Sequence, residues 1–505
     1  MTVPPSTAQV DTISVRSLFR DMLRGSGLYS VAFFAPNLAS IILVPVMTRA
    51  LTSADYGITD LLSQVGTVLH LLLGVNFSAA LGYFYFAEQT AERRREVAST
   101  SIVGSAVIGL GAVLVCLPFA APMARLAFPH VDAEKFLILI IASMLPAFLL
   151  EALNGWLRVI NRPGIYVGIS LVRLAVTIAG IVILVGALGL RVWGVLWTGV
   201  AAVLVHVAFL LVIWLRSAPI SFDRHLFIQM LKYAFPLGFA GLAMFVLNFG
   251  DRFILPHYRS FDDLGIYALA CKAGALMSAL YGSFQVYWSA QVFGIMRRED
   301  ADTLFPRILT YVVVATSSFG LFLCVFAQPA IHILTAPSYY RAAPLVPVLV
   351  AAFVLRSIGD FVRSLLLAAG RPQDYAICNW IGAGVCIGAY AVLIPMYGIW
   401  GAAAATLGAF GVIGFVSAVW SYRAMPYRVE SRRLAKIGTA VVAAMLARWL
   451  PSATNLTAQI GWGVLAMTLF PLTLWVLRFP TAAEIRLGRA TIATLVRARP
   501  AAVNP

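Results

Sequence analysis

The chain has 505 residues, of which 61% are hydrophobic and 11% charged, with a formal net charge of +16. Soluble proteins carry roughly 45–50% apolar and about 25% charged residues, so this composition excludes an ordinary soluble domain and fits a polytopic membrane protein. No short segments of alternating polarity mark a transmembrane β-barrel, and the chain reads as all-α.

A helix needs about 20 apolar residues to cross a bilayer. Residues 1–26 precede the first such stretch; they are mostly polar, carry Arg16, Arg20 and Arg24, and lack the short apolar core of a cleaved signal peptide. Within them Val15, Leu18, Phe19, Met22 and Leu23 form one helical stripe suited to the membrane surface. Fourteen candidate spans follow, at 27–49, 60–86, 98–121, 136–157, 165–189, 192–215, 230–256, 264–294, 305–329, 342–369, 375–396, 399–421, 434–450 and 458–478. Tight turns containing Gly189, Arg191, Tyr397 and Gly398 separate the two closest pairs. Loops are short and no soluble domain is inserted. Residues 483–499 are read either as a second surface segment or as a frayed charged tail.

The basic residues set the orientation. With the N-terminus in the cytoplasm, inside segments carry 25 Lys and Arg and outside segments carry 7. This positive-inside bias places both termini in the cytoplasm and accounts for the net charge through the anionic inner leaflet, so no nucleic-acid partner is implied. Cys116, Cys271, Cys324, Cys378 and Cys386 all fall in apolar stretches without a C-x-x-C pair. A disulfide framework or thiolate metal site is not expected.

The chain repeats itself at a nearly constant offset. Asp55-x-Gly57 recurs as Asp263-x-Gly265, Arg162-Pro163-x-x-Tyr166 as Arg371-Pro372-x-x-Tyr375, and Trp193-Gly194 as Trp400-Gly401. An even number of helices per repeat gives both copies the same orientation, as in parallel-repeat transporters, which place substrate at the repeat interface. The expected organisation is a cytoplasmic segment 1–26, an N-lobe 27–215, a linker 216–229, a C-lobe 230–421, an appended helix pair with its preceding loop in 422–478, and a cytoplasmic tail 479–505. Each lobe would hold six helices.

Charges inside spans are the candidates for function, because a charge in hydrocarbon is costly and normally faces the protein interior or a watered cavity. Arg356, Asp360 and Arg363 are spaced four and three apart, on one helical face. Lys272, Arg173, Asp251, Arg252 and Arg49 complete the set. Arg49 and Arg252 admit a second reading as side chains snorkelling to headgroups, and Asp251 as the neutralising partner of Arg252. Arginine suits a phosphate because its planar fork donates two hydrogen bonds at once. Asn37, Gln64, His70, Asn76, Asn154, His206, Asn248, Gln285, Gln291 and Asn379 read mainly as helix-to-helix hydrogen bonds. Tyr83, Tyr85, Tyr281, Tyr287 and Trp288 read as packing, with stacking on sugar as the alternative. No phosphate-binding loop, nucleophile–base pair or metal cluster stands out, so the chain is not expected to be an enzyme or to need a cofactor.

Three segments carry a resemblance. Leu43-Val44-Pro45-Val46-Met47-Thr48-Arg49-Ala50-Leu51 with Asp55-Tyr56-Gly57 is similar to an opening motif of the polysaccharide transporters. Gly250-Asp251-Arg252-Phe253-Ile254-Leu255 with Leu264-Gly265-Ile266-Tyr267, and Leu393-Ile394-Pro395-Met396-Tyr397-Gly398-Ile399-Trp400-Gly401, resemble later segments of the same family. These transporters form a branch of the multidrug/oligosaccharidyl-lipid/polysaccharide exporter superfamily. The resemblance implies two six-helix lobes around a central cavity plus two C-terminal helices, in a flippase that moves a polyprenyl-diphosphate-linked oligosaccharide to the outer leaflet of a bacterial inner membrane by alternating access. Its partners would be the lipid-linked oligosaccharide, the phospholipid bilayer, and a polysaccharide polymerase and chain-length regulator. A peptidoglycan-precursor flippase, a drug/cation antiporter and a non-transporting scaffold of a polysaccharide assembly complex remain as alternatives.

Overall fold

The computed structural model describes residues 40, 42–73, 77–217, 220–449 and 455–480. The stripe at 15–24, the tail at 483–499, Asn37, Asn76 and most of the span expected at 27–49 lie outside the described residues. The first half contains Val44–Ala50 (α1), Ser53–Leu73 (α2), Phe77–Ala87 (α3), Ala91–Cys116 (α4), Ala120–Ala127 (α5), Glu134–Ala142 (α6), Met144–Val159 (α7), Pro163–Gly180 (α8) and Arg191–Ser217 (α9). The second half contains Arg224–Phe249 (α10), Asp251–Tyr258 (α11), Phe261–Ile295 (α12), Ala301–Leu334 (α13), Val346–Ala368 (α14), Pro372–Tyr397 (α15) and Ile399–Ala424 (α16). Ser431–Trp449 (α17) and Leu456–Val476 (α18) close the described chain.

The protein is an all-α polytopic membrane protein. Eleven helical segments among the described residues are long and apolar enough to cross a membrane. Of the other three expected spans, 27–49 lies mostly outside the described residues. The span at 230–256 corresponds to α10 and α11, which meet at Gly250, and 434–450 to α17, which begins on Arg432, Arg433 and Lys436.

Helix starts follow local chemistry. Asp223 caps α10 by accepting from the His225 and Leu226 amides, and Ser260 caps α12 through the Asp263 amide, each satisfying a backbone donor left open at a helix N-terminus. Pro163 and Pro372 occupy the first turn of α8 and α15, where a missing amide proton costs nothing. The residues before them adopt the same conformation: Arg162 has φ −111 and ψ 67, Arg371 φ −114 and ψ 60. The repeated sequence therefore builds a repeated backbone. Gly398 turns α15 into α16 at φ +59, a left-handed value that favours glycine.

The buried apolar residues fall into unequal groups. One core joins both halves near the starts of α2 and α12; it includes Tyr56, Leu61 and Leu62 from the first half and Leu264, Tyr267 and Tyr339 from the second. Toward the other end the cores separate. Val97, Leu153, Trp156 and Leu210 pack within the first half, and Trp288, Phe305, Phe361 and Leu365 within the second. α10 straddles the two: Met230 and Ala234 join the first-half core, while Ala243 and Leu247 join the shared one. A fourth group fastens α17 and α18 to α13 through Leu321, Val325, Ile437 and Phe470.

Candidate functional site

Six of the eight charged residues singled out from the sequence lie in two linked clusters. Arg252 stands at the start of α11, just past the break at Gly250, and is 5% exposed, which excludes the snorkelling alternative for this side chain. Its Nε donates to Asp60 Oδ2 at 2.7 Å, and its Nη1 donates to Asp251 Oδ1 at 2.9 Å and to the Asn248 carbonyl at 3.2 Å. Asp251 is fixed in turn by the Tyr267 hydroxyl, which donates at 2.5 Å. The guanidinium also lies over the rings of Phe249 and Tyr267, a placement that suits a weakly hydrated cation in an apolar wall. Lys272, eleven residues into α12, holds its ammonium 5.9 Å from the Tyr56 ring centroid and makes no ion pair among the described residues.

The second cluster lies on α14. Asp360 takes an ion pair from Arg356 at 3.6 Å and another from Arg363, so the four- and three-residue spacing does what helical geometry requires of it. Arg356 lies over the Phe353 and Phe410 rings and donates to Asn248 Oδ1. That bond links the clusters, because the carbonyl of the same Asn248 receives Arg252. Arg363 is 1% exposed, donates to Asn379 and covers the Tyr375 ring at 4.5 Å. Arg356 and Asp360 keep partial exposure, at 17% and 18% of their side chains. The chain therefore runs from Asp60 through Arg252, Asn248, Arg356 and Asp360 to Arg363. It holds Asp60, Asp251 and Asp360 against Arg252, Lys272, Arg356 and Arg363, an excess of one positive charge.

Two expected residues stand apart. Arg49 is exposed at the end of α1, beside Pro45, Val46, Ala50 and Gly186 around a hollow of about 300 Å³. Arg173 is exposed on α8 near His206. Of the aromatic candidates, Trp288 is buried and donates to Ser364, and Tyr83 stacks on Tyr233. His70 pairs with Glu151 at 3.4 Å and stacks on Phe148.

Asp60 and Glu151 escaped the sequence reading, and Tyr56 and Tyr267 entered it only as residues of the resembling segments. Asp60 was hidden by a boundary: the apolar run begins at residue 60, but the helix begins at Ser53, so Asp60 sits two turns inside it. Its signal was the helix-compatible stretch Ser53–Thr59, whose residues are mostly buried against the second half.

A family described as polysaccharide biosynthesis protein matches residues 22–286, just over half of the chain. No curated protein matches. Among solved structures, the chain is similar to a lipid II flippase MurJ in an inward closed conformation, with a TM-score of 0.71 and 18% identity over 88% of this chain and 98% of that one. It is also similar to an inward-facing multidrug resistance MATE family transporter of the MOP superfamily, with a TM-score of 0.62 and 14% identity over 78% of this chain and 94% of that one. An outward-facing MATE family transporter gives 0.54 and 16% over 80% and 95%. At these identities the likeness is one of fold. The chain thus belongs to the polysaccharide biosynthesis protein family, built on the membrane-transporter fold that lipid II flippase and MATE transporters share.

Proposed function

We propose that the protein is a flippase that carries a polyprenyl-diphosphate-linked oligosaccharide from the cytoplasmic to the outer leaflet of a bacterial inner membrane by alternating access, in the synthesis of O-antigen, capsule or exopolysaccharide. The observation that supports this reading most is the charge chain from Asp60 to Arg363, built from spanning helices and cationic in sum. Charges at such depth are expensive and are kept where a polar species must pass. The part-exposed Arg356 offers a fork for diphosphate oxygens, and Lys272 a point charge without a carboxylate partner. Arg252 contributes field while Asp251 holds it in place, and Arg363 positions Asp360 from within the core. Arg49 and Arg173 serve as outlying basic stations on the first half.

In this reading 27–215 and 230–421 are the moving lobes, and both termini are cytoplasmic. The bilayer holds the lipid tail, and a polymerase and chain-length regulator receive the product. The likeness to a lipid II flippase over almost its whole length favours a peptidoglycan precursor as a second cargo.

The test is reconstitution in liposomes with lipid-linked oligosaccharide, scoring sugar on the far leaflet with an impermeant glycosidase. Protein-dependent movement supports the flippase. No movement of either lipid-linked oligosaccharide or lipid II by folded protein, with a pH gradient and a potential imposed, removes it.

A further inference from the structure

We propose that Asp60 is a built-in competitor anion: it locks the two halves together at the Ser53 end by occupying Arg252 of the second half, and the anionic group of the cargo opens that end by displacing it. The inference rests on the flippase reading for the identity of the anion, but its geometry is independent of that reading.

α2 and α12 occupy equivalent positions in the sequence repeat, and they pack on each other along one line. Ser53 donates to Asp262 at 2.5 Å. One turn deeper Gly57 meets Gly265, where a Cβ on either would overlap backbone of the other helix. Tyr339 closes the same end, donating to the Leu51 carbonyl and packing edge-on against Tyr56. Asp60 follows one further turn inward on the same face of α2. It crosses from the first half to Arg252 in the second. Lys272, on the face of α12 that carries Asp262 and Gly265, sets a second cation 5.9 Å from the ring of Tyr56, one turn from Asp60 on α2. At the opposite end only α10 bridges the halves, through Met230 and Ala234 in the first-half core, and the remaining buried groups stay separate. The structure is therefore closed at the Ser53 end, and Asp60 is the ionic part of the closure.

The charge arrangement makes this tie releasable. Arg252 keeps Asp251 as a fixed partner whether or not Asp60 is present, so losing Asp60 does not strand the buried guanidinium. Asp60 is the more exposed acid of the pair, at 23% against 3% for Asp251. An anion entering among Lys272, Arg252 and Arg356 competes for the same donors. Once it holds them, the carboxylate of Asp60 no longer binds the halves, and α2 can part from α12. Without cargo Asp60 stays in place and the end stays shut, which couples opening to cargo.

The test uses full-length protein with its five cysteines replaced and spin labels at Leu188→Cys and Tyr258→Cys, exposed positions near the closed end on the two halves. Pulsed electron resonance reads the distance between them. One short distance is expected without ligand. Asp60→Asn is expected to shift the closed-to-open ratio by about tenfold, as for loss of one charge-assisted hydrogen bond, while Asp60→Glu stays closed. Geranyl diphosphate, the probe, is expected to open the Asp60 protein and to add little to Asp60→Asn. An unchanged distance in folded Asp60→Asn overturns the lock. Opening by Asp60→Asn without any effect of geranyl diphosphate on the Asp60 protein overturns the competition. The distance is read without transport, so failure of the flippase reading appears only in the liposome assay.

Discussion

Gly57 and Gly265, separated by 208 positions in a chain that repeats at that offset, face each other across the contact of α2 with α12. A Cβ on Gly57 would meet the Phe261 carbonyl and the Gly265 amide, and one on Gly265 would meet the Ser53 carbonyl and the Gly57 amide. The obstacles are backbone atoms, which cannot rotate aside. Gly57→Ala and Gly265→Ala are each expected to lower stability of the closed form by about 1–3 kcal/mol, the usual range for overpacking. Thermal unfolding in detergent measures this, and wild-type melting in both variants contradicts the crossing.

Arg356 and Arg363 share a helix face but differ in exposure, which predicts a split between their variants. Arg356→Ala leaves Asp360 still bound by Arg363, so the fold should hold while cargo movement falls at least tenfold. Arg363→Ala leaves Asn379 without its donor and Asp360 with only the 3.6 Å pair to Arg356, at a cost of about 1–3 kcal/mol. Its first effect should be on melting temperature. Equal loss of stability in both variants would count against Arg356 as a cargo contact.

Tyr267 acts on the site through Asp251. Its hydroxyl is the tie that holds Asp251 beside Arg252, and leaving a buried acceptor unpaired costs about 1–3 kcal/mol. Tyr267→Phe should destabilise by that amount, and adding Asp251→Asn should cost less than the two single effects summed. Additive effects would show that the hydroxyl and the carboxylate act separately.

Local patterns were legible in the sequence and distant pairings were not. Thirteen of the fourteen apolar runs correspond to described helices, because helix length and hydropathy are set residue by residue. The Arg356–Asp360–Arg363 face follows from 3.6-residue geometry alone. Asp60 with Arg252 spans 192 residues and Asn248 with Arg356 spans 108; no local period encodes either. Apolar counting also trims helix ends whose polar first turns are buried against a neighbour, which is how α2 lost Ser53–Thr59. The burial of Arg363 was beyond reach for a related reason, since spacing fixes a face but not what lies across from it. The repeat of Asp-x-Gly was visible as duplication. That its two copies touch each other could be seen only once both helices were placed.

Ser53 and Asp262 supply a way to hold the contact shut. Their side chains meet directly between the halves, beside the close backbone approach at Gly57 and Gly265, so a disulfide between cysteines at the two positions is the expected cross-link. In a background lacking the five native cysteines, Ser53→Cys with Asp262→Cys should cross-link under mild oxidant. If α2 must leave α12 for cargo to exit, transport should stop on oxidation and return on reduction, while either single variant should respond to neither. Full transport by the cross-linked protein would mean that this end never opens during the cycle. Cargo would then have to leave by another route.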